Sequence, residues 1–206
     1  DNSEKYFLKT NEIEQDFFKN KNDLTQTYLE LSNLYFQKKD YKKASLYNEL
    51  GLDAIDEYQK SMKLSFVLNQ GDVALKENKI FAAQKALNSA NQIASELQSK
   101  TEIEYCMEFK AKLLNAKGDY GKALAIYENF ISGDKKESLL TSLKWFKEAH
   151  KTSSKLGNYK EAYQYMVKAN TIQDSMANEK KMQQTEFLKI KFDSDQKEKE
   201  NQILAV

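Results

Sequence analysis

The chain has 206 residues, of which 40% are hydrophobic and 12% aromatic, enough apolar material for a packed core and too much for a disordered chain. It carries 32 basic and 31 acidic side chains for a net charge of +1, and every basic one is Lys. That balance removes the basic surplus expected of a nucleic-acid or acidic-membrane binder, and any site built on guanidinium forks. Pro is absent and Gly numbers 6, which points to long helices rather than turn-rich folds. No apolar run in 1–206 approaches the roughly 18 residues of a membrane span.

Residues 1–23 open the chain with Tyr6, Phe7, Ile13, Phe17 and Phe18 at helical spacing, which predicts an N-terminal helix belonging to a degenerate repeat. The first five residues do not resemble a signal peptide. From residue 24 to 176 the sequence repeats. Lys39-Asp40-Tyr41-Lys42-Lys43-Ala44, Asn78-Lys79-Ile80-Phe81-Ala82-Ala83, Gly118-Asp119-Tyr120-Gly121-Lys122-Ala123 and Gly157-Asn158-Tyr159-Lys160-Glu161-Ala162 superimpose. Their last alanines stand 39, 40 and 39 residues apart. Twelve residues before each Ala come Ser32, Gly71, Ala111 and His150; seven after come Gly51, Ala90, Phe130 and Ala169. Small residues at fixed places in two facing helices let the backbones approach closely.

Each unit therefore reads as two antiparallel helices joined by a polar turn, in four pairs at about 24–58, 59–98, 101–134 and 137–176. Asp40, Asp119 and Asn158 are placed to cap the second helices. Tyr28, Tyr41, Tyr120 and Tyr159 fall in repeat columns and are expected in the core. Residues 177–206 are expected to form a capping helix, through Met182, Phe187, Ile190 and Phe192, followed by a polar connecting tail.

The pattern resembles the tetratricopeptide repeat, carried best by Lys39–Ala44 and Gly118–Ala123. Its period is longer than the family's 34 residues, and the closing Pro is missing from every unit. Longer, proline-free repeats look like those of bacterial signalling proteins. The resemblance implies an all-α, right-handed solenoid of antiparallel helix pairs whose first helices line a concave groove. It also implies which positions face that groove: Leu29, Asn33 and Phe36 in the first pair, Asp72 in the second, Tyr105, Glu108 and Lys112 in the third. The fourth contributes Lys144, Lys147, Lys151 and Lys155. Helical spacing independently puts those four lysines on one face, opposite Leu143, Phe146, Ala149 and His150.

Chemistry is sparse. His150, the single His, stands in the small-residue column and is expected to pack between helices rather than to titrate. Cys106, the single Cys, has no sequence partner and reads as a buried thiol. No phosphate-binding Gly-rich loop is present, and Asp193-Ser194-Asp195 lacks the Gly and Glu that would complete a calcium loop. The expectation is a chain without catalytic, cofactor-binding or metal-binding residues. It would bind a protein or peptide, with an acidic segment opposite the lysines, and no nucleic acid. Two settings suit it: the sensor or scaffold region of a bacterial signalling or transcription-regulatory protein, or a free-standing peptide-responsive cytoplasmic regulator. The compartment, periplasmic or cytoplasmic, stays open.

Overall fold

Four turns of one geometry organise the backbone. Lys39 (φ 62°), Asn78 (φ 59°), Gly118 (φ 85°) and Gly157 (φ 80°) are left-handed, and each stands five residues before a column alanine. The N–H of the next residue reaches back to a carbonyl near the end of the preceding helix. The bonds are Asp40 N to Tyr35 O (2.9 Å), Lys79 N to Ala74 O (2.8 Å), Asp119 N to Leu114 O (2.9 Å) and Asn158 N to Ser153 O (3.0 Å). A helix end leaves carbonyls without partners, and this hook satisfies them while reversing the chain.

The computed structural model describes residues 5–6, 8–9, 24–56, 58–133 and 138–204, with the side chains of 193 and 195–204 left aside. Eight helices stand among these residues, with no strand: α1 (Thr25–Gln37), α2 (Tyr41–Ala54), α3 (Lys60–Lys76), α4 (Ile80–Leu97), α5 (Lys100–Lys117), α6 (Tyr120–Ser132), α7 (Leu139–Lys155) and α8 (Tyr159–Leu204). The expected helix over the first 23 residues lies mostly outside the described residues; within it, Leu8 packs against the core formed by Leu31, Tyr35, Ala44 and Val73. Asp40 caps α2 as its position suggested, accepting from Lys43 N at 3.1 Å.

The helices form two compact units, one running through Ile126 and one from Tyr127. In the first, the column alanines Ala44, Ala83 and Ala123 are fully buried, as are Ala90 and Ala111. The small residues admit large neighbours. A side chain at Gly51 would collide with the Phe66 ring, and one at Gly71 with the Phe109 ring, so α2 accepts α3 and α3 accepts α5 only because these positions carry none. The remaining core is Leu64, Val67, Ala86, Ala94 and Cys106 on one side of α3 and α4, with Leu87 and Leu113 beside Phe109.

In the second unit α7 lies along α8. Trp145 stacks on Phe130 with ring centroids 4.7 Å apart, and Ala149, Ala162 and Ala169 are buried between the helices. His150 sits at the same crossing, its Nδ1–H donating to Ala162 O at 2.9 Å. That bond asks only for the tautomer with the proton on Nδ1.

Two expectations change. Tyr159 is 74% exposed rather than core. Its counterpart Tyr41 is half-buried because the ring rests on Phe36, centroids 5.7 Å apart; the residue equivalent to Phe36 in the fourth pair is Ser154, which offers no apolar surface. The second change is in α8, which runs unbroken from Tyr159 to Leu204 instead of ending and giving way to a separate cap. Met182, Phe187, Ile190 and Phe192, read as capping residues, are 61–70% exposed.

Candidate functional site

First helices α1, α3 and α5 neighbour one another in the first unit. Side chains four residues apart on one helix share a face, so Leu29 and Asn33 face together on α1, as do Glu108 and Lys112 on α5. Polar contacts join these faces across the helices. Asn69 Nδ2 on α3 donates to Asn33 Oδ1 on α1 at 2.8 Å. Lys112 Nζ on α5 donates to both carboxylate oxygens of Asp72 on α3, at 3.0 and 2.8 Å, and lies 3.5 Å from Glu108. Nearer the other end, Ser61 Oγ of α3 donates to Glu102 Oε1 of α5 at 3.1 Å. The structure thus brings together Asn33, Asp72, Glu108 and Lys112 as one polar band across three helices.

Burial disfavours the Lys112 ammonium, but the charges of Asp72 and Glu108 more than offset it and hold its pKa above the ordinary lysine range. Lys112 is therefore a fixed cation between two carboxylates, and the cluster as a whole is one charge negative. Glu102 is held below the usual carboxylate range, first by the Ser99 hydroxyl and further by Ser61. Tyr105, one turn before Glu108, is 53% exposed. Leu29 and Phe36 are half-buried at the α1 edge.

The lysine stripe belongs to the second unit. Lys144, Lys147, Lys151 and Lys155 are all exposed on α7, as their spacing requires. Lys147 Nζ donates to Gln173 Oε1 of α8 at 3.0 Å, and Lys151 pairs with Glu148 at 2.7 Å. An exposed pair of this kind lowers the local charge without adding much stability.

Cys106 is buried, and burial followed by the nearby Glu102 charge pushes its thiol pKa up, away from the nucleophilic thiolate. No group of three or more His, Cys, Asp or Glu among the described residues is placed to hold a metal ion. No described helix is long and apolar enough to cross a membrane. Asn69, Ser61 and Glu102 are part of the band and were missed from sequence. Asn69 stands one helical turn before Asp72, which lies one repeat after Asn33, and that spacing was the available signal.

Sequence comparison adds nothing: no family model and no curated protein matches the chain. Among solved structures, two chains match. One is described as BtubC (BKLC) from P. vanneervenii, with a TM-score of 0.62 and 16% identity over 85% of this chain and 74% of that one. The fold is all-α and solenoid-like. At that identity the likeness concerns the fold alone.

Proposed function

We propose that the chain is a tetratricopeptide-type interaction array that binds a peptide along the shared face of α1, α3 and α5 and performs no chemistry of its own. The observation that carries this reading is the polar band. Amides at Asn33 and Asn69, a fixed cation at Lys112 and the exposed Tyr105 phenol line one face, and each is contributed by a different turn of a stacked helix. Asparagine amides offer a donor and an acceptor together, the complement of a peptide unit in an extended segment. Tyr and Leu29 supply the apolar contact that anchors such a segment. Narrowing the setting to the sensor or scaffold region of a bacterial signalling or regulatory protein rests on the long, proline-free repeats.

The test is selection of peptides from a displayed random library on the whole chain, followed by titration of the winners against variants. Asn33→Ala and Tyr105→Ala should each weaken binding about tenfold or more, a loss of ~1.4 kcal/mol. Phe81→Ala, an exposed position on α4, should not. Peptides that bind all three variants equally would place recognition elsewhere.

A further inference from the structure

The second and fourth helix pairs align without a gap, α3 (17 residues) on α7 (17 residues) and the start of α4 on the start of α8, so each position of one has a counterpart two repeats on. In the second pair the following helix covers one face. Phe109 and Leu113 of α5 pack with Ala83 and Leu87 of α4, and Leu68, Leu75 and Ile80 lie against the same cluster. Lys117, at the end of α5, donates to Gln84 Oε1 of α4 at 2.6 Å. The counterparts of Ile80, Gln84 and Leu87 are Tyr159, Tyr163 and Met166 on α8, at a spacing that puts them on one helix face. Tyr163 is 63% exposed and Met166 37% exposed, so no described element does for α8 what α5 does for α4. An apolar row of this kind gains by being covered.

We propose that this face of α7 and α8 docks an amphipathic helix of a partner protein, seated as α5 is seated on α3 and α4 but acidic where α5 is basic. The charge of α7 selects that chemistry. In the second pair Asp72 of α3 holds Lys112 of α5 through both carboxylate oxygens. The counterpart of Asp72 on α7 is Lys151, and that of Leu68, one turn earlier, is Lys147. The row also holds Lys144 and Lys155, and one carboxylate, Glu148, stands among the four lysines. A docked helix therefore needs a carboxylate, not an ammonium, at the place of Lys112. Bulk sets a second requirement. Gly71 admits the Phe109 ring because it carries no side chain, and its counterpart is His150. The docked helix needs Ala or Ser at the place of Phe109, while the place of Leu113 stays apolar opposite Met166 and Tyr163. The segment recognised is thus a small residue, an acid three residues on and an aliphatic residue next to it. A second copy offering this same face would set two lysine rows against each other, which disfavours it. The face shares no residue with the α1, α3 and α5 band and does not rest on that reading.

Fluorescence anisotropy of a labelled synthetic helix, titrated with the whole chain, tests this. The peptide copies residues 100–117 with Cys106→Ala, Phe109→Ala and Lys112→Glu; a twin peptide keeps Lys112. The acidic peptide should bind with a Kd of about 10–100 µM at low salt, and about tenfold or more tighter than its twin. Lys151→Glu in the protein should reverse that preference, because the sign of charge at this position is what discriminates. Met166→Lys should weaken both peptides about tenfold or more with unchanged ellipticity. Asn33→Ala and Tyr105→Ala should leave the Kd of the acidic peptide as it is, which separates this face from the α1, α3 and α5 band. Binding of neither peptide below about 1 mM overturns the proposal, as do equal affinities for the two, a preference that survives Lys151→Glu, or full binding by Met166→Lys. Self-association of the chain that Met166→Lys abolishes would make the occupant a second copy and overturn it as well.

Discussion

Ser32 and Asn48 form a buried polar pair where the second repeat has Gly71 and Leu87. The Asn48 side chain is fully buried and its Nδ2 has no hydrogen-bond partner. Ser32 Oγ stands 2.9 Å from Asn48 Oδ1 and 3.2 Å from Ala44 O, yet a hydroxyl has one proton for those two acceptors. The pair is thus under-satisfied however its proton is placed. At the equivalent position the second pair has Leu87, which is buried without any polar requirement. Asn48→Leu should therefore raise stability by ~1 kcal/mol, whereas Ser32→Ala in the parent should lower it by ~1–3 kcal/mol by stranding the amide. In the Asn48→Leu background the same Ser32→Ala change should cost less than half as much. Urea unfolding of the four variants measures the coupling directly; equal Ser32→Ala costs in both backgrounds would show that the two side chains do not depend on each other.

Backbone conformation decides a second residue-level question. Lys39 holds φ 62° without the freedom of the glycines at the matching positions 118 and 157. Lys39→Gly should stabilise by roughly 0.5–1 kcal/mol, and Gly118→Ala should destabilise by roughly 1–2 kcal/mol, because a Cβ disfavours the left-handed region. Space does not enter, since nothing lies within 4 Å of a Cβ built at Gly118. Thermal melts of both variants would check the opposite signs.

At the scale of helices, Tyr165 on α8 donates to Glu128 Oε1 on α6 at 2.7 Å. Burial first, then this bond to a carboxylate, pushes the phenol pKa up to about 12 from 10.0. The neutral phenol is the form the fold favours, so its contribution is complete below pH 10 and is lost as pH rises towards 12. Tyr165→Phe should flatten the fall of stability over that window and leave the stability curve below it parallel to the parent's. A parent curve that is level across the window would show that Glu128 does not hold the phenol.

Helices were the legible part of this chain. The alanine column marks the start of every second helix because an Ala at a helix crossing cannot be enlarged without parting the backbones. The turns are marked by Asp40, Gly118 and Gly157 for related reasons of capping and left-handed backbone. The capping helix expected within 177–206 is instead the exposed continuation of α8, because its apolar side chains meet no neighbouring element that covers them. A better signal was present: no Gly or Pro interrupts the sequence after Gly157, so nothing stops α8. The polar band was half legible. The tetratricopeptide resemblance implied that Asn33, Asp72, Glu108 and Lys112 share one surface, but which partner each would take depends on how far one helix slides along the next. That shift is set by Phe66 against Gly51 and Phe109 against Gly71, contacts that no single helix encodes.

For the molecule as a whole, contacts run mainly between neighbours in sequence, as in any array of stacked helix pairs. Residues of α8 beyond Met176 are exposed wherever their side chains are described, so they add helix without adding core. A chain ending at Asn178 should lose helical ellipticity in proportion to the residues removed. Its urea midpoint should match the parent's at low protein concentration. A midpoint that falls with the truncation would mean that the distal helix supports the fold after all.

A stiff rod fixed at one end is also a mechanical element. About 28 residues of α8 follow Met176, a lever of roughly 42 Å at ~1.5 Å per residue. A tilt of about 10° where α8 rests on α7 would swing its far end by about 7 Å, larger than the pitch of one helical turn. The crossing that sets that angle is made of Ala149, Ala162 and Ala169 with the His150 bond to Ala162 O, contacts of a few ångströms. Displacements too small to alter a side-chain rotamer at that crossing would be read out at Leu204 as a movement the width of a backbone.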